Sequence, residues 1–144
     1  MVGCNIEDAF SDKHGIRTIE DAAERIKAVV KAANEAGVPD FVINARVDVL
    51  AYGGNITDVI ERGKWYLEAG ATTVFVLGFM KWDIQSSEVE EMVKAFKGKL
   101  ALSPGSIWVG RLKELGVSRV SVGGALLRKL MSVLEGEAIR LKVL

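Results

Sequence analysis

The residues best suited to chemistry stand at or just after the ends of short apolar runs. They are Glu7, Asp8, Asn44, Arg46, Asp48, Lys81 and Ser103. Carboxylate oxygens bind Mg²⁺ directly or through the waters that the ion retains. A guanidinium group binds a carboxylate or a phosphonate through two parallel hydrogen bonds. If the fold brings Glu7, Asp8 and Arg46 together, the set suits a hard divalent cation beside a small anionic substrate.

The segments that must position these residues alternate between strand and helix patterns. Five short apolar runs predict strands, at residues 2–6, 41–45, 72–77, 99–102 and 117–122. Between them, apolar residues recur at helical spacing, as in the segment that Thr18 caps and Gly37 ends. Each strand and its helix together take roughly 30 residues, the usual size of such a unit. The sequence therefore predicts five βα units in a parallel sheet covered by helices.

The direction of these strands predicts where the candidate residues meet. In parallel α/β folds, the loops at the C-terminal ends of the strands hold the active site. Glu7 and Asp8 follow the first predicted strand, and Arg46 and Asp48 follow the second. We therefore expect two carboxylates and one guanidinium to converge on a single rim of the sheet.

The overall composition narrows the class of protein. The chain has 144 residues and a formal net charge of zero, with one cysteine and one histidine. A neutral chain gives no electrostatic reason to expect nucleic acid or an anionic membrane as a partner. No apolar run approaches the roughly 20 residues of a membrane span, and a Cys/His zinc site is improbable. We expect a cytoplasmic, single-domain protein whose partner is a small molecule.

Four segments, taken in order, resemble the isocitrate lyase/phosphoenolpyruvate mutase superfamily. Residues 3–8, GCNIED, resemble its Gly-x-x-Ile-Glu-Asp strand, and residues 45–48, ARVD, resemble its Ala-Arg-Thr/Val-Asp/Glu strand. Residues 60–71 resemble the helix that follows, and residues 115–121 resemble the last barrel strand. Each motif alone is weak, but together they cover nearly the whole chain in the family's order.

The resemblance implies roles for individual residues. Glu7 occupies the position of a glutamate that helps to hold Mg²⁺, partly through water. Arg46 occupies the position of an arginine that binds the carboxylate or phosphonate of the substrate. The implied reaction is cleavage or rearrangement of a C–C or P–C bond of a 2-oxo or phosphono acid through an enolate, whose charge Mg²⁺ stabilises.

Two departures from the family pattern limit what the resemblance implies. The family's main Mg²⁺ ligands include an Asp-x-Asp pair in a strand that would precede residue 2, and this sequence lacks it. The true lyases carry a catalytic cysteine in the loop after the Glu-Asp strand, whereas residues 9–17 hold none. Cleavage of isocitrate or methylisocitrate is therefore not supported, and the sequence looks more like the short-loop members.

The predicted fold is a partial parallel (β/α) barrel spanning residues 1–144. Its five βα units resemble the last five strands of a TIM barrel, without the first three. A parallel barrel takes eight strands and about 250 residues, so five units cannot close one alone. The chain would then be a fragment, an open sheet, or one of two chains that complete each other. Unpaired strands would expose backbone edges, and we therefore expect a homo-oligomer.

Three hypotheses about function remain open at this point. The first is a Mg²⁺-dependent lyase or mutase represented by its C-terminal part. The second is a non-catalytic oligomeric half-barrel that keeps the fold without the full metal site. The third is an unrelated flavodoxin-like binder, which needs a reversal of strand order and a phosphate loop after the first strand. Residues 9–15 have too few glycines for such a loop.

Individual residues also have structural alternatives. Arg46 could pair with Asp48 or Glu7 across the rim instead of contacting substrate. His14 lies in a polar segment, and an exposed loop histidine is the simpler interpretation. The other rim residues are expected to support the Glu7 and Arg46 pair, and they are Asp8, Asn44, Asp48 and Ser103.

Overall fold

The computed structural model describes residues 2–11, 14–77, 83–103 and 105–142. Within them, five strands form one sheet: Gly3–Glu7 (β1), Val42–Val47 (β2), Thr73–Val76 (β3), Leu100–Leu102 (β4) and Arg119–Val120 (β5). Five α-helices follow these strands in turn: Ile19–Glu35 (α1), Ile56–Glu68 (α2), Ser86–Ala95 (α3), Val109–Glu114 (α4) and Ala125–Arg140 (α5). A short 3₁₀ helix, Val49–Tyr52, lies between β2 and α2.

The strands are parallel and lie side by side in chain order, from β1 to β5. This arrangement confirms the predicted partial (β/α) barrel. The flavodoxin-like alternative is wrong, because it requires a reversal of strand order that the described strands do not show.

The two faces of the sheet differ in chemistry. Successive residues of a strand point to opposite faces. On β2, Ile43, Ala45 and Val47 are fully buried and belong to the hydrophobic core between the sheet and the helices. The alternate residues Asn44 and Arg46 belong to the other face, which is polar near β1 and β2. The chemistry expected from the sequence therefore lies on the face away from the helices.

Local sequence signals explain where the helices begin. Thr18 caps α1, because its side chain accepts a hydrogen bond from the backbone N–H of Asp21 at 3.2 Å. Asn55 and Asp58 form a reciprocal capping box at the start of α2. Gly63 lets α2 approach α3 closely, since a Cβ atom there would overlap the ring of Phe96.

The structure corrects two predicted boundaries. β2 continues to Val47, so Arg46 lies inside a strand and not in the following loop. The last strand, expected over residues 117–122, is only Arg119–Val120, because its single partner strand β4 is three residues long.

Helix α5 packs differently from the first four helices. None of its residues is buried. Its apolar side chains are 55 to 69% exposed, and they are Leu126, Leu127, Leu130, Met131, Val133, Leu134 and Ile139. None of the helices in the described part of the chain has the length and apolarity that a membrane span needs. Scattered apolar side chains are normal on a protein surface, but a set this large on one helix is not.

Candidate active site at the carboxyl ends of β1 and β2

Glu7 and Arg46 lie side by side on neighbouring strands. They are register partners on β1 and β2. Nη1 of Arg46 donates a hydrogen bond to Oε1 of Glu7 at 2.7 Å. The Glu7 side chain is 49% exposed and that of Arg46 is 23% exposed, so the pair stays open to small ions and solutes. The pair therefore joins the C-terminal ends of two parallel strands, where the sequence predicted a site.

A second carboxylate, that of Asp48, accepts hydrogen bonds from the same guanidinium. Nε of Arg46 donates to both carboxylate oxygens of Asp48, at 2.8 and 3.0 Å. Asp48 is only 3% exposed, whereas Glu7 is accessible. Arg46 thus makes both of the ion pairs that the structural alternative proposed. Contact between Arg46 and a substrate stays a prediction.

Burial sets the protonation behaviour of Asp48. Loss of contact with water raises the pKa of this carboxyl above its ordinary value, although the hydrogen bond and charge of Arg46 lower it in part. A carboxyl whose pKa rises on folding stabilises the fold fully below its unfolded pKa, about 3.9. That contribution is lost as the pH rises through the folded pKa.

Asp48→Asn should remove this pH dependence. We expect the difference in unfolding free energy, wild type minus variant, to fall as the pH rises from about 3 towards neutrality. Urea unfolding at a series of pH values measures it, with the exposed Asp21→Asn as the control variant. A difference that stays constant or rises with pH would contradict the direction of the pKa shift.

Asp8 lies beside Glu7 in sequence but faces the opposite way. It is 1% exposed. Its Oδ1 accepts the backbone N–H of Asp48 at 2.9 Å, and its Oδ2 accepts the hydroxyl of Tyr66 at 2.8 Å and Nη1 of Arg62 at 3.2 Å. Both of the latter residues belong to α2. Asp8 therefore supports the site from the helix side and is not placed to bind a ligand on the open face.

Side-chain hydrogen bonds link three neighbouring strands next to the Glu7–Arg46 pair. Nδ2 of Asn44 donates to Oδ1 of Asn5 at 2.8 Å, and Oγ1 of Thr73 donates to Oδ1 of Asn44 at 2.6 Å. The buried Asn44 side chain is thereby held in one orientation between β1 and β3. The amide of Asn44 is thus engaged by protein partners, and its supporting role in the site stays a prediction.

The other predicted rim residues are less closely associated with the pair. Ser103 follows β4 and is half-buried, and no side-chain hydrogen bond joins it to Glu7 or Arg46 in the described residues. Lys81 lies outside the described residues. His14 is an exposed loop residue, as expected, and its ring contacts that of Tyr52 with centroids 5.0 Å apart.

Among the described residues of the site, one side chain, that of Glu7, is suited to bind Mg²⁺. Among them, no group of three or more His, Cys, Asp or Glu side chains is placed to hold a metal ion. Mg²⁺ is often held by one or two carboxylates together with waters and substrate oxygens. Glu7 meets this requirement because it is accessible and only its Oε1 bonds to Arg46. Asp8 and Asp48 are buried behind it.

Charge explains what the arrangement can do. Glu7 and Asp48 carry two negative charges around the single positive charge of Arg46. This excess of negative charge would attract a cation to the accessible Glu7. A cation there would compete with Arg46 for the carboxylate and would leave guanidinium N–H groups available to an anion.

Two residues of this site were not predicted as functional from sequence. In the sequence, Arg62 and Tyr66 stand out only as part of the family's helix motif. Their spacing could have identified them in the sequence. They are two polar residues four positions apart, on the same side of the helix as the buried Val59. A charged residue on a buried helix face needs a partner, and Asp8 supplies it.

Residues 1–142 match the family model described as phosphoenolpyruvate phosphomutase. The 2-methylisocitrate lyase of Escherichia coli (strain K12) is 40% identical over 80 residues, a match that covers 51% of this chain and 26% of that protein. The match is thus to a quarter of the curated relative's length.

Solved structures extend this comparison over 98% of the chain. The crystal structure of a candidate lyase/mutase from Burkholderia cenocepacia J2315 is 30% identical, with a TM-score of 0.84, and covers 98% of this chain and 51% of that one. Phosphonopyruvate hydrolase in complex with oxalate and Mg²⁺ is 24% identical, with a TM-score of 0.75, and covers 98% and 50%. The latter likeness shows the fold alone. The chain spans about half the length of these structures.

Proposed function

Because the chain belongs to the phosphoenolpyruvate phosphomutase family, we propose that its Glu7 and Arg46 form part of a Mg²⁺-dependent site. The proposed reaction breaks or rearranges a C–C or P–C bond of a small 2-oxo or phosphono acid. One observation supports the proposal above all. Glu7, the accessible one of the three described carboxylates Glu7, Asp8 and Asp48, and its partner Arg46 are register neighbours at the C-terminal edge of a parallel sheet, where such folds hold their active sites.

Each residue has a defined part in this proposal. Glu7 provides an oxygen ligand to Mg²⁺, directly or through water. Arg46 turns from Glu7 towards the carboxylate or phosphonate of the substrate, while Asp48 keeps hold of its Nε. When bound, Mg²⁺ would neutralise the charge that develops on an enolate oxygen. Asp8 and Asn44 keep the two strand ends in place from either side.

A turnover assay tests the proposed reaction. The protein is incubated with a panel of 2-oxo and phosphono acids in Mg²⁺, and the products are measured with and without a chelator. We expect chelator-sensitive turnover of at least one acid, and its loss in Glu7→Gln. The exposed pair Arg111 and Glu114, on α4 away from the site, provides Glu114→Gln as a matched control. Turnover that persists in the chelator would contradict a Mg²⁺-dependent reaction.

A non-catalytic role is the second candidate, and one observation favours it. Both the Nε and the Nη1 of Arg46 are already engaged by carboxylates of the same chain. An arginine in this state can be a structural link between strands. If the chain folds, yet no acid in the panel is turned over and Mg²⁺ does not bind, the half-barrel serves as a scaffold and not as an enzyme.

We also propose that the chain forms a homo-oligomer through α5. The seven apolar side chains of this helix are exposed, and no other described part of the chain buries them. Fully burying one leucine side chain contributes about 1.5–3 kcal/mol, so a second copy that covers this helix would be held firmly. The other exposed feature, the free edges of β1 and β5, could contribute backbone hydrogen bonds to the same association.

Sedimentation velocity tests this association. We expect the wild-type protein to be a dimer or larger, and Leu127→Glu with Leu130→Glu to weaken the association by about 100-fold or more. Lys129→Glu changes a charge on the same helix without removing an apolar contact, and serves as the control. A wild-type protein that sediments as a monomer at moderate concentration would contradict the proposal.

A further inference from the structure

The carboxylate of Asp8 connects α2 to both strand ends of the candidate site. Its two oxygens accept three donors: the hydroxyl of Tyr66, Nη1 of Arg62 and the backbone N–H of Asp48. Arg62 also donates to the Tyr66 hydroxyl at 3.1 Å. We call Asp8, Arg62 and Tyr66 the Asp8 network. All three side chains are largely or fully buried, so water does not compete for these bonds.

Through Asp8, the network is connected to a closed ring of four residues at the site: Asp8, Asp48, Arg46 and Glu7. Asp8 is covalently adjacent to Glu7 and fixes the backbone of Asp48. The Asp48 carboxylate holds Nε of Arg46, and Arg46 returns to Glu7 through Nη1. Each of these four residues is therefore joined to the next by one hydrogen bond or, between Glu7 and Asp8, by the peptide bond. A shift of Asp8 would move both Glu7 and Arg46.

The network also fixes Arg17, just before the start of α1. Nη2 of Arg62 donates to the backbone oxygen of Arg17 at 3.0 Å, and the N–H of Arg17 donates to the backbone oxygen of Asp8 at 2.8 Å. Three separate segments, the ends of β1 and β2 and the start of α1, are thus tied to one helix. Buried, fully paired polar groups of this kind fix a single arrangement.

From this geometry we infer that Arg62 and Tyr66 are positioning residues for Glu7 and Arg46. They touch neither the open face of the sheet nor a ligand on it. They act through Asp8, by setting the distance and direction of the Glu7–Arg46 pair. The inference depends on the proposed function only in the role it gives to that pair, because the positioning itself is a property of the folded chain.

Tyr66→Phe is the most informative variant. It removes a single hydroxyl and keeps the ring that fills the core. Thr72→Val is the matched control, because it removes a side-chain hydrogen bond to the N–H of Ile43, at the opposite end of the same strand β2. Tyr66→Phe loses two hydrogen bonds, one donated to Asp8 and one accepted from Arg62, whereas Thr72→Val loses one, so Tyr66→Phe should lose more stability. Only the first should alter Arg46.

The Nε–H signal of Arg46 in ¹H–¹⁵N spectra gives a readout that needs no ligand. Its assignment follows from its disappearance in Arg46→Lys. We expect Tyr66→Phe to shift this signal and to speed its exchange with water about fivefold or more, and Thr72→Val to leave it within twofold. An Arg46 signal that is unchanged in Tyr66→Phe, or equally changed in both variants, would overturn the inference.

Binding of oxalate, a small dicarboxylate used as a probe of the proposed anion site, in the presence of Mg²⁺ is the second readout. We expect Tyr66→Phe to weaken it about threefold to tenfold at a temperature where urea unfolding shows the protein fully folded. Arg62→Lys, which keeps the charge, should retain more affinity than Arg62→Gln. If the wild-type protein binds no oxalate, the proposed function fails, and the Arg46 signal still decides the positioning role.

Discussion

Replacing Asp8 with alanine is expected to lower the free energy of unfolding by about 3–5 kcal/mol. The substitution removes a fully buried carboxylate and leaves the Arg62 guanidinium without its counter-charge. It also leaves the Tyr66 hydroxyl and the N–H of Asp48 without their acceptor. Native proteins of this size are stable by only about 5–15 kcal/mol, so the loss is a large part of the total.

Urea unfolding measures this loss, and the neighbouring residue provides the control. Glu7→Ala removes a carboxylate that is half exposed and paired on one side. Exposed ion pairs contribute only about 0–1 kcal/mol, so Glu7→Ala should cost little stability. Two adjacent acidic residues should therefore differ several-fold in their effect. Equal losses for the two variants would show that Asp8 is not the structural member of the pair.

Replacing Arg46 with glutamine is expected to weaken oxalate binding in Mg²⁺ by about 100-fold. A paired guanidinium gives charged, two-point recognition that a neutral amide cannot supply. Losing one partner of such a charge pair costs about 2–5 kcal/mol, which corresponds to a factor of 30 or more. Calorimetric titration of oxalate in saturating Mg²⁺ measures the change. Arg111→Gln, on α4, is the control for a lost arginine.

The same variant separates anion binding from metal binding. In the wild-type protein Arg46 donates a hydrogen bond to Oε1 of Glu7, so it would compete with a cation for this oxygen. Arg46→Gln removes this competitor, so Mg²⁺ alone should bind at least as tightly as before while oxalate binding falls. If Mg²⁺ and oxalate affinities both stay at their wild-type values, Arg46 is a structural link between β1 and β2 and contacts no substrate.

The parts of the fold that could be predicted from the sequence depend on local patterns. Apolar runs separated by segments of helical periodicity predicted the five strands and their order of connection. Thr18 was predicted as a helix cap, and the structure shows its capping hydrogen bond. The rim position of Glu7 and Arg46 followed from the parallel direction of the strands, since all C-terminal ends then meet at one edge.

The parts that could not be predicted depend on contacts between distant residues. Asp8 stands beside Glu7, and only the direction of each side chain shows that one supports the fold while the other faces the open surface. Its partners Arg62 and Tyr66 are 54 and 58 residues away. The periodicity of α5 resembles that of the buried helices, yet the helix has no buried residue. Such pairings arise from the folded arrangement and leave little trace in local sequence.

Calorimetric titration of Mg²⁺ into the wild-type protein and into Glu7→Gln tests the central claim most directly. The substitution keeps the size of the side chain and removes the charge that a hard cation requires. We predict submillimolar Mg²⁺ binding in the wild-type protein and its loss in Glu7→Gln, with urea midpoints of the two proteins nearly equal. Mg²⁺ binding that is absent from the wild-type protein, or identical in both, would contradict the assignment of Glu7 as a metal ligand.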